Sequence, residues 1–338
     1  MSGTISIGVA GAGVFGGHHA GKYAGMTTAR LAGIYDIDPD RAARSASAFS
    51  TRAFDDYAAL VSAVDAVVIA TPATTHYALA LAALEARRHV FVEKPLAMRA
   101  EEAEALVALA EKQGLVLQVG HQERYVAAAI GLLDHVARPV RIDCVRRAAP
   151  SDRCRDVSVV FDLMIHDFDL VRQLTNDAPA KVTAEGGHDE ARAELVLENG
   201  TVATFSASRA ADDLRRTMRL VYERGFIEID FLQRSVVNTT DASLSGDFDA
   251  VRGGMALTDP LGLGAGKFVA AIADGAAFGP AASGQPEASG QAYVSGRDGA
   301  DAVSWACAVE SAVFSNGSSK SPGGSANGAT STEERVRA

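Results

Sequence analysis

Short apolar runs alternate with helical patterns through the first third of the chain. "ISIGVA" (5–10), "RLAGIYD" (30–36), "DAVVIAT" (65–71), "HVFVEK" (89–94) and "LVLQVG" (115–120) read as strands. Between them, "FGGHHAGKYAG", "PDRAARSASAF", "DDYAALVS", "THYALALAALEAR" and "AEEAEALVALAEKQG" read as helices. Apolar strands alternating with helices predict a doubly wound parallel sheet covered on both faces. After about residue 138 the pattern changes. "VRIDCVRRA" is a strand, and after one helix "AKVTAEGG", "RAELVLEN", "TVATFSASRA", "TMRLVYER" and "GFIEIDFL" follow in series. "ENGT" (198–201) and "ERG" (223–225) read as hairpin turns. Successive strands joined by turns predict a mostly antiparallel open sheet in an α+β domain. The expected division is 1–121, 122–314, and a Ser/Gly-rich segment 315–338 without apolar periodicity, read as a disordered tail.

The intervening helix, about 157–173, contains "VVFDLMIHDFDL" (159–170), an apolar run broken by ionisable groups. At about 100° per residue, Asp162, His166 and Asp169 fall within about 60° of one another, joined by Gln173. Phe161, Met164, Ile165, Phe168 and Val171 gather on the other side. The polar stripe is either a solvated face or a row of groups suited to proton transfer, since a nearby carboxylate can orient an imidazole and tune it.

Composition narrows the partners. The 338 residues allow two domains, 48% hydrophobic and 22% charged. A net charge of −10 and 6% aromatics argue against nucleic acid as a partner. Cys144, Cys154 and Cys307 form no CxxC pair, which points to a reducing compartment and away from a structural zinc site. No basic region followed by an apolar run opens the chain and no run approaches 18 apolar residues, so a cytoplasmic protein without a membrane span is expected.

"GVAGAGVFGG" places Gly11, Gly13 and Gly16 as G-x-G-x-x-G directly after the first strand, with Val14 and Phe15 between Gly13 and Gly16. Such glycines allow a tight turn, close approach of a pyrophosphate and close helix–strand packing. Asp36 ends the second strand 20 residues after Gly16, where a ribose-binding acid belongs. It would accept from a 2′-hydroxyl and repel a 2′-phosphate, so NAD is expected over NADP, with Arg41 nearby tempering the preference. Glu93 and Lys94 end another strand before Pro95, at the edge where open α/β sheets form their ligand crevice.

Together, "GAGVFG", "YDIDPDRA", "ATPATTHYALALAALEARRHVFVEKPLA" and the Asp162-x-x-x-His166 helix resemble the glucose–fructose oxidoreductase / inositol dehydrogenase (Gfo/Idh/MocA) family over residues 5–314. The resemblance implies a Rossmann domain and an α/β domain whose open sheet mediates a homodimer or homotetramer. It also implies a catalytic set of Lys94, Asp162 and His166, with Thr71, Pro72, His76 and Glu93 joining the glycine loop and Asp36 around the cofactor. "VGHQERYVAA" (119–128) and "RRAAPSDRCRDVSVVFDLMIHDFDLV" (146–171) are similar to a branch that oxidises the 3-hydroxyl of UDP-N-acetylglucosamine. That implies substrate contacts from His121, Arg124, Tyr125, Arg147 and Arg153, besides Asp162 and His166; arginine forks suit a diphosphate. Chemically, His166 is the expected general base, Asp162 its orienting partner and Lys94 the cation that stabilises a developing oxyanion. Hydride transfer requires no metal, and none is expected. An inositol or free-sugar dehydrogenase is the alternative within the family, and a non-catalytic cofactor-binding regulator the alternative outside catalysis.

Overall fold

The structure, a computed structural model, describes residues 4–134, 137–150, 155–241, 243–244, 248–249, 251–275 and 293–317. Six parallel strands build the first sheet: β1 (Ile5–Ala10), β2 (Ala29–Tyr35), β3 (Ala53–Phe54), β4 (Ala66–Ile69), β5 (His89–Val92) and β6 (Leu117–Val119). Their order is β3-β2-β1-β4-β5-β6. The connecting helices are α1 (Val14–Ala24), α2 (Pro39–Ala48), α3 (Tyr57–Ser62), α4 (His76–Glu85) and α5 (Ala100–Gln113). Every residue of β1 and β4 is buried, as continuous apolar strands between two helical layers require. The order turns back between β1 and β4, so the chain diverges there and leaves a crevice at the carboxyl ends of the strands.

The short helix α6 (Glu123–Ala129) leads to the second sheet, which contains β7 (Arg141–Arg147), β8 (Pro179–Gly186), β9 (Glu190–Leu197), β10 (Val202–Ser208), β11 (Arg215–Val221), β12 (Phe226–Asp230) and β13 (Ser235–Asn238). Its order is β13-β12-β11-β7-β10-β9-β8, and only the β7–β10 pair is parallel. One face is apolar: in β9, Ala191, Ala193, Leu195 and Leu197 are buried while Glu190, Arg192 and Glu194 are exposed. The intervening helix with the polar stripe packs on this buried face, through a π-turn (Val160–Met164) that continues into α7 (Ile165–Thr175).

After α8 (Met255–Thr258), two further helices return to the first sheet. In α9 (Pro260–Ala273), Phe268 meets Phe91 of β5 at 5.8 Å between ring centroids. The long α10 (Gly296–Gly317) lies along α5, α7 and β8, and just before it the Val119 amide donates to the Val294 carbonyl at 2.9 Å. A boundary near residue 121 therefore divides the sheets but not the cores, because late segments cross back over it. Of the tail expected at 315–338, residues 315–317 complete α10 and the remainder lies outside the described residues.

The glycine loop supplies a stability test. A Cβ at Gly16 would lie 1.8 Å from the Gly11 carbonyl oxygen, whereas at Gly13 nothing stands within 4 Å. Gly16→Ala should lower Tm by clearly more than the roughly 2–4 °C that 1 kcal/mol produces, and Gly13→Ala by less than that, as scanning calorimetry would read.

Candidate active site

Each end of the crevice is built by a strand that has just run out. Gly11 ends β1 with φ +97°, and a Cβ there would lie 2.5 Å from the Ala70 carbonyl oxygen. Gly13 precedes α1, whose first turn has no side-chain cap and opens onto free space. Val14 and Phe15 lie exposed on that turn. Uncapped amides facing open space fit a pyrophosphate, so the residues present suit a dinucleotide. Asp36 stands just beyond β2. Its Oδ2 accepts from the Ala12 amide at 2.7 Å, and its Oδ1 from the Asp38 amide at 2.9 Å and Arg41 Nε at 3.1 Å. The carboxylate thus ties the glycine loop to the end of β2 and holds Arg41 beside it. Thr71 and Pro72 follow β4. His76 turns inward instead: it is 1% exposed, with Nδ1 2.6 Å from the Pro95 carbonyl and Nε2 3.0 Å from that of Thr71.

Beyond β5, Glu93 is buried and meets His19 Nε2 of α1 at 2.7 Å, bracing the strand end against the helix that carries the glycine loop. Lys94 points across to the second domain. Its Nζ donates to the Asp162 carbonyl at 2.6 Å and to Asp162 Oδ1 at 3.1 Å. On the far side of the same carboxylate, Oδ2 lies 3.4 Å from Arg209 Nη1. Arg209, 6% exposed in its side chain, also donates to the Val157 carbonyl (2.7 Å), His188 Nδ1 (2.9 Å) and Asp189 Oδ1 (2.9 Å). One carboxylate therefore sits between a lysine from the first sheet and an arginine from the end of β10.

This corrects one expectation. Asp162 does not hold His166; among the described residues its carboxylate is occupied by Lys94 and Arg209. The wheel assumed about 100° per residue, but residues 160–164 form a π-turn, whose wider i→i+5 winding offsets Asp162 from the stripe of α7. His166 keeps some exposure, yet its Nδ1 is buried without a partner among the described residues. His121, immediately after β6 and Gly120, stands perpendicular to it at 6.1 Å between ring centroids, and neither ring nitrogen of His121 has a partner among the described residues. Each such orphan costs about 1–3 kcal/mol.

A buried ionic cluster lies behind His166. Arg146 of β7 donates from Nε and Nη2 to Asp167, both at 2.7 Å, and from Nη1 to Glu123 Oε1 at 3.0 Å, while Arg216 Nη1 reaches the same Oε1 at 2.9 Å. Burial alone would raise the Glu123 carboxyl, but the Arg146 guanidinium outweighs it and holds Glu123 well below the usual carboxylate range. Burial pushes the His166 imidazole well below its ordinary value; Glu123 opposes this, and Lys94, Arg146 and His121 reinforce it. His121 is likewise pushed down by burial.

The other expected substrate residues do not converge here. Arg124 forms ion pairs with Asp169 and, at 2.9 Å, with Asp298 of α10; Asp169, the third member of the stripe, is spent on this pair. Tyr125 is core, its hydroxyl accepting from Gln118 Nε2 at 3.3 Å. Arg147 projects from the open face of the second sheet, beside a surface hollow of about 310 Å³, and pairs with Asp213 at 3.0 Å. Arg153 lies outside the described residues. Conversely, Arg209, Glu123 and His19 escaped the sequence reading. Arg209 had a weak signal, a lone cation closing the strand pattern "TVATFSASRA" on the buried parity. Among the described residues no cluster of three or more His, Cys, Asp or Glu is placed to hold a metal, and no helix is long and apolar enough to cross a membrane.

Residues 5–121 match the oxidoreductase family described as an NAD-binding Rossmann fold, and residues 138–228 match the GFO/IDH/MocA C-terminal domain. UDP-N-acetylglucosamine 3-dehydrogenase of Acidithiobacillus ferrooxidans is 40% identical over 240 residues, 69% of this chain and 76% of that protein. The chain belongs to the Gfo/Idh/MocA oxidoreductase family. Inositol 2-dehydrogenase 1 of Saccharopolyspora erythraea is 32% identical over 264 residues, 71% of this chain and 78% of that one. The solved structure of the Acidithiobacillus ferrooxidans enzyme superposes with a TM-score of 0.78 at 33% identity, covering 93% of this chain and 99% of that one. As a member of this family the chain is an NAD-binding oxidoreductase, and Lys94, Asp162 and His166 stand where its two domains meet.

The depressed imidazole gives this oxidoreductase a defined pH behaviour. His166 stays neutral as pH falls through its ordinary 6.5. In stability the unfolded chain takes up that proton near 6.5 while the folded one refuses it. The contribution is therefore complete above pH 6.5 and is lost as pH falls below it. Between pH 7 and pH 5 the Tm of His166→Gln should fall less than that of the wild type; an equal fall would contradict the assignment.

Proposed function

We propose that this enzyme oxidises a secondary hydroxyl of a nucleotide sugar, the 3-hydroxyl of UDP-N-acetylglucosamine, using NAD in preference to NADP. The observation that carries the chemistry is the Lys94–Asp162 contact beside a neutral His166 at the mouth of the glycine-loop crevice. The substrate follows from the likeness to the Acidithiobacillus ferrooxidans dehydrogenase. Asp36 supports NAD, because its carboxylate lies beside the glycine loop and engages Arg41, leaving less positive charge for a 2′-phosphate.

Bound NAD supplies the hydride acceptor. The chain's residues supply the rest. His166 takes the hydroxyl proton on the ring nitrogen nearer solvent, while the hydrogen on carbon departs with its electron pair. Lys94 stabilises the oxygen as negative charge grows on it, inside a site where charge–charge interactions are strong. Asp162 fixes the ammonium in place, and Arg209 fixes Asp162. Arg124, Tyr125 and Arg147 have no part in this reading: the first is consumed by two carboxylates, the second is buried, and the third is on the opposite face of the sheet. That open face, carrying Arg147, Arg192 and Arg215 beside Glu190 and Glu194, suits pairing with a second copy of the chain, and cytoplasmic conditions suit its free cysteines.

A turnover panel with NAD separates the readings. UDP-N-acetylglucosamine should exceed myo-inositol and free hexoses in kcat/KM by at least about tenfold, the effect of about 1.4 kcal/mol in transition-state binding. A preference for inositol would overturn the substrate, and no turnover of any sugar would favour a regulator. With the preferred sugar, His166→Ala should lower kcat by roughly 10²–10⁴ and leave NAD binding intact. Unchanged kcat in that variant would remove His166 as the base.

A further inference from the structure

A general base that uses one imidazole nitrogen needs something to hold the other. His166 lacks it. Its Nδ1 is buried and unpartnered among the described residues, and the carboxylate expected to serve is bound by Lys94 and Arg209. When His166 takes a proton at the outer nitrogen, the ring becomes cationic with a buried N–H at Nδ1, a costly state unless an acceptor lies within reach.

His121 has the missing complement. The residue is 1% exposed, neither of its ring nitrogens has a partner among the described residues, and its ring stands perpendicular to His166 at 6.1 Å between centroids. That separation is about 1 Å beyond where an N–H···N hydrogen bond would hold two imidazoles, within the reach of small side-chain rotations. The charged groups facing His121 are Asp169, Arg124, Lys94 and Asp298; those facing His166 are Glu123, Lys94 and Arg146. All six are engaged with one another or with Asp162, Asp167 and Arg216, and among the described residues none bonds to either ring. A neutral imidazole always keeps one lone pair.

We infer that His121 is the positioning residue of His166: its free ring nitrogen accepts the Nδ1–H of His166, fixing the tautomer that leaves the outer nitrogen unprotonated and stabilising the imidazolium formed when the hydroxyl proton arrives. The proton stays on His166, and His121 contributes only the acceptor. This rests on the reading of His166 as general base.

The test is steady-state kinetics of His121→Phe and His121→Gln across pH, with the preferred sugar and NAD. His121→Phe should lower kcat about 10- to 100-fold, the worth of a hydrogen bond to a charged group, with KM for the sugar and Kd for NAD nearly unchanged. The acid limb of its kcat profile should move to lower pH, because the imidazolium has lost its acceptor. His121→Gln, which keeps an amide oxygen, should recover part of both effects. In a His166→Gln background, His121→Phe should cost nothing further in kcat. A His121→Phe enzyme whose acid limb stays in place or moves upward, or whose loss persists undiminished without His166, would overturn the inference. If His166→Gln itself retains full kcat, the reading of His166 as base fails instead, and the two failures are distinguishable.

Discussion

The Asp162 carboxylate, held between Lys94 and Arg209, is the contact on which the site depends. Lys94 comes from the end of β5 in the first sheet, and Arg209 follows β10 in the second, so one side chain joins the sheets at the crevice. The contact is enclosed, with side-chain exposures of 18%, 14% and 6% for Lys94, Asp162 and Arg209. At that depth an unpaired charge would be expensive, so removing one member leaves its partner buried without its counter-charge. Asp189 also pairs with Arg209, so two carboxylates answer two cations, and Lys94 is the cation carried to the crevice by a strand end, where an oxygen would gain negative charge.

Around that contact the fold separates charge from neutrality. Arg146, Asp167, Glu123 and Arg216 form a closed ionic cluster behind α7, each charge answered by another. In front of it His121 and His166 are held neutral by burial. A histidine kept neutral inside a charged frame is available as a proton acceptor over a wide pH range, at the cost of a less stable imidazolium. Glu123, the opposing influence on His166, offsets part of that cost.

The larger architecture was legible because it is written in period. Buried strands with no polar interruption, separated by helical patterns, have few alternatives to a covered parallel sheet, and the later alternation in "RAELVLEN" fixes which face is buried. The two-residue β3 is too short to show a period, and nothing in the local pattern reveals that β7 lies between β11 and β10. The return of α9 and α10 to the first sheet is also invisible locally, since an amphipathic helix does not name the surface it covers. The site divides in the same way. Lys94, Asp162 and His166 could be named because strand ends and short spacings carry them, whereas Arg209 reaches Asp162 across 47 residues. Arg124 and Arg147 misled for a related reason. An arginine beside a motif looks available, and only the fold shows Asp169 and Asp298 around the first and the sheet between the second and the crevice. The helical wheel erred where the helix itself departs from 3.6 residues per turn.

If Asp162 acts by holding Lys94, the two residues form one functional unit. A double-mutant cycle on kcat, with Lys94→Ala, Asp162→Ala and the pair, measures this directly. Once the ammonium is gone its holder has nothing left to hold, so the double variant should be about as slow as Lys94→Ala alone. Losses that multiply, so that the double variant is slower by the product of the two single effects, would show that Asp162 and Lys94 act independently and that the contact between them is not what builds the site.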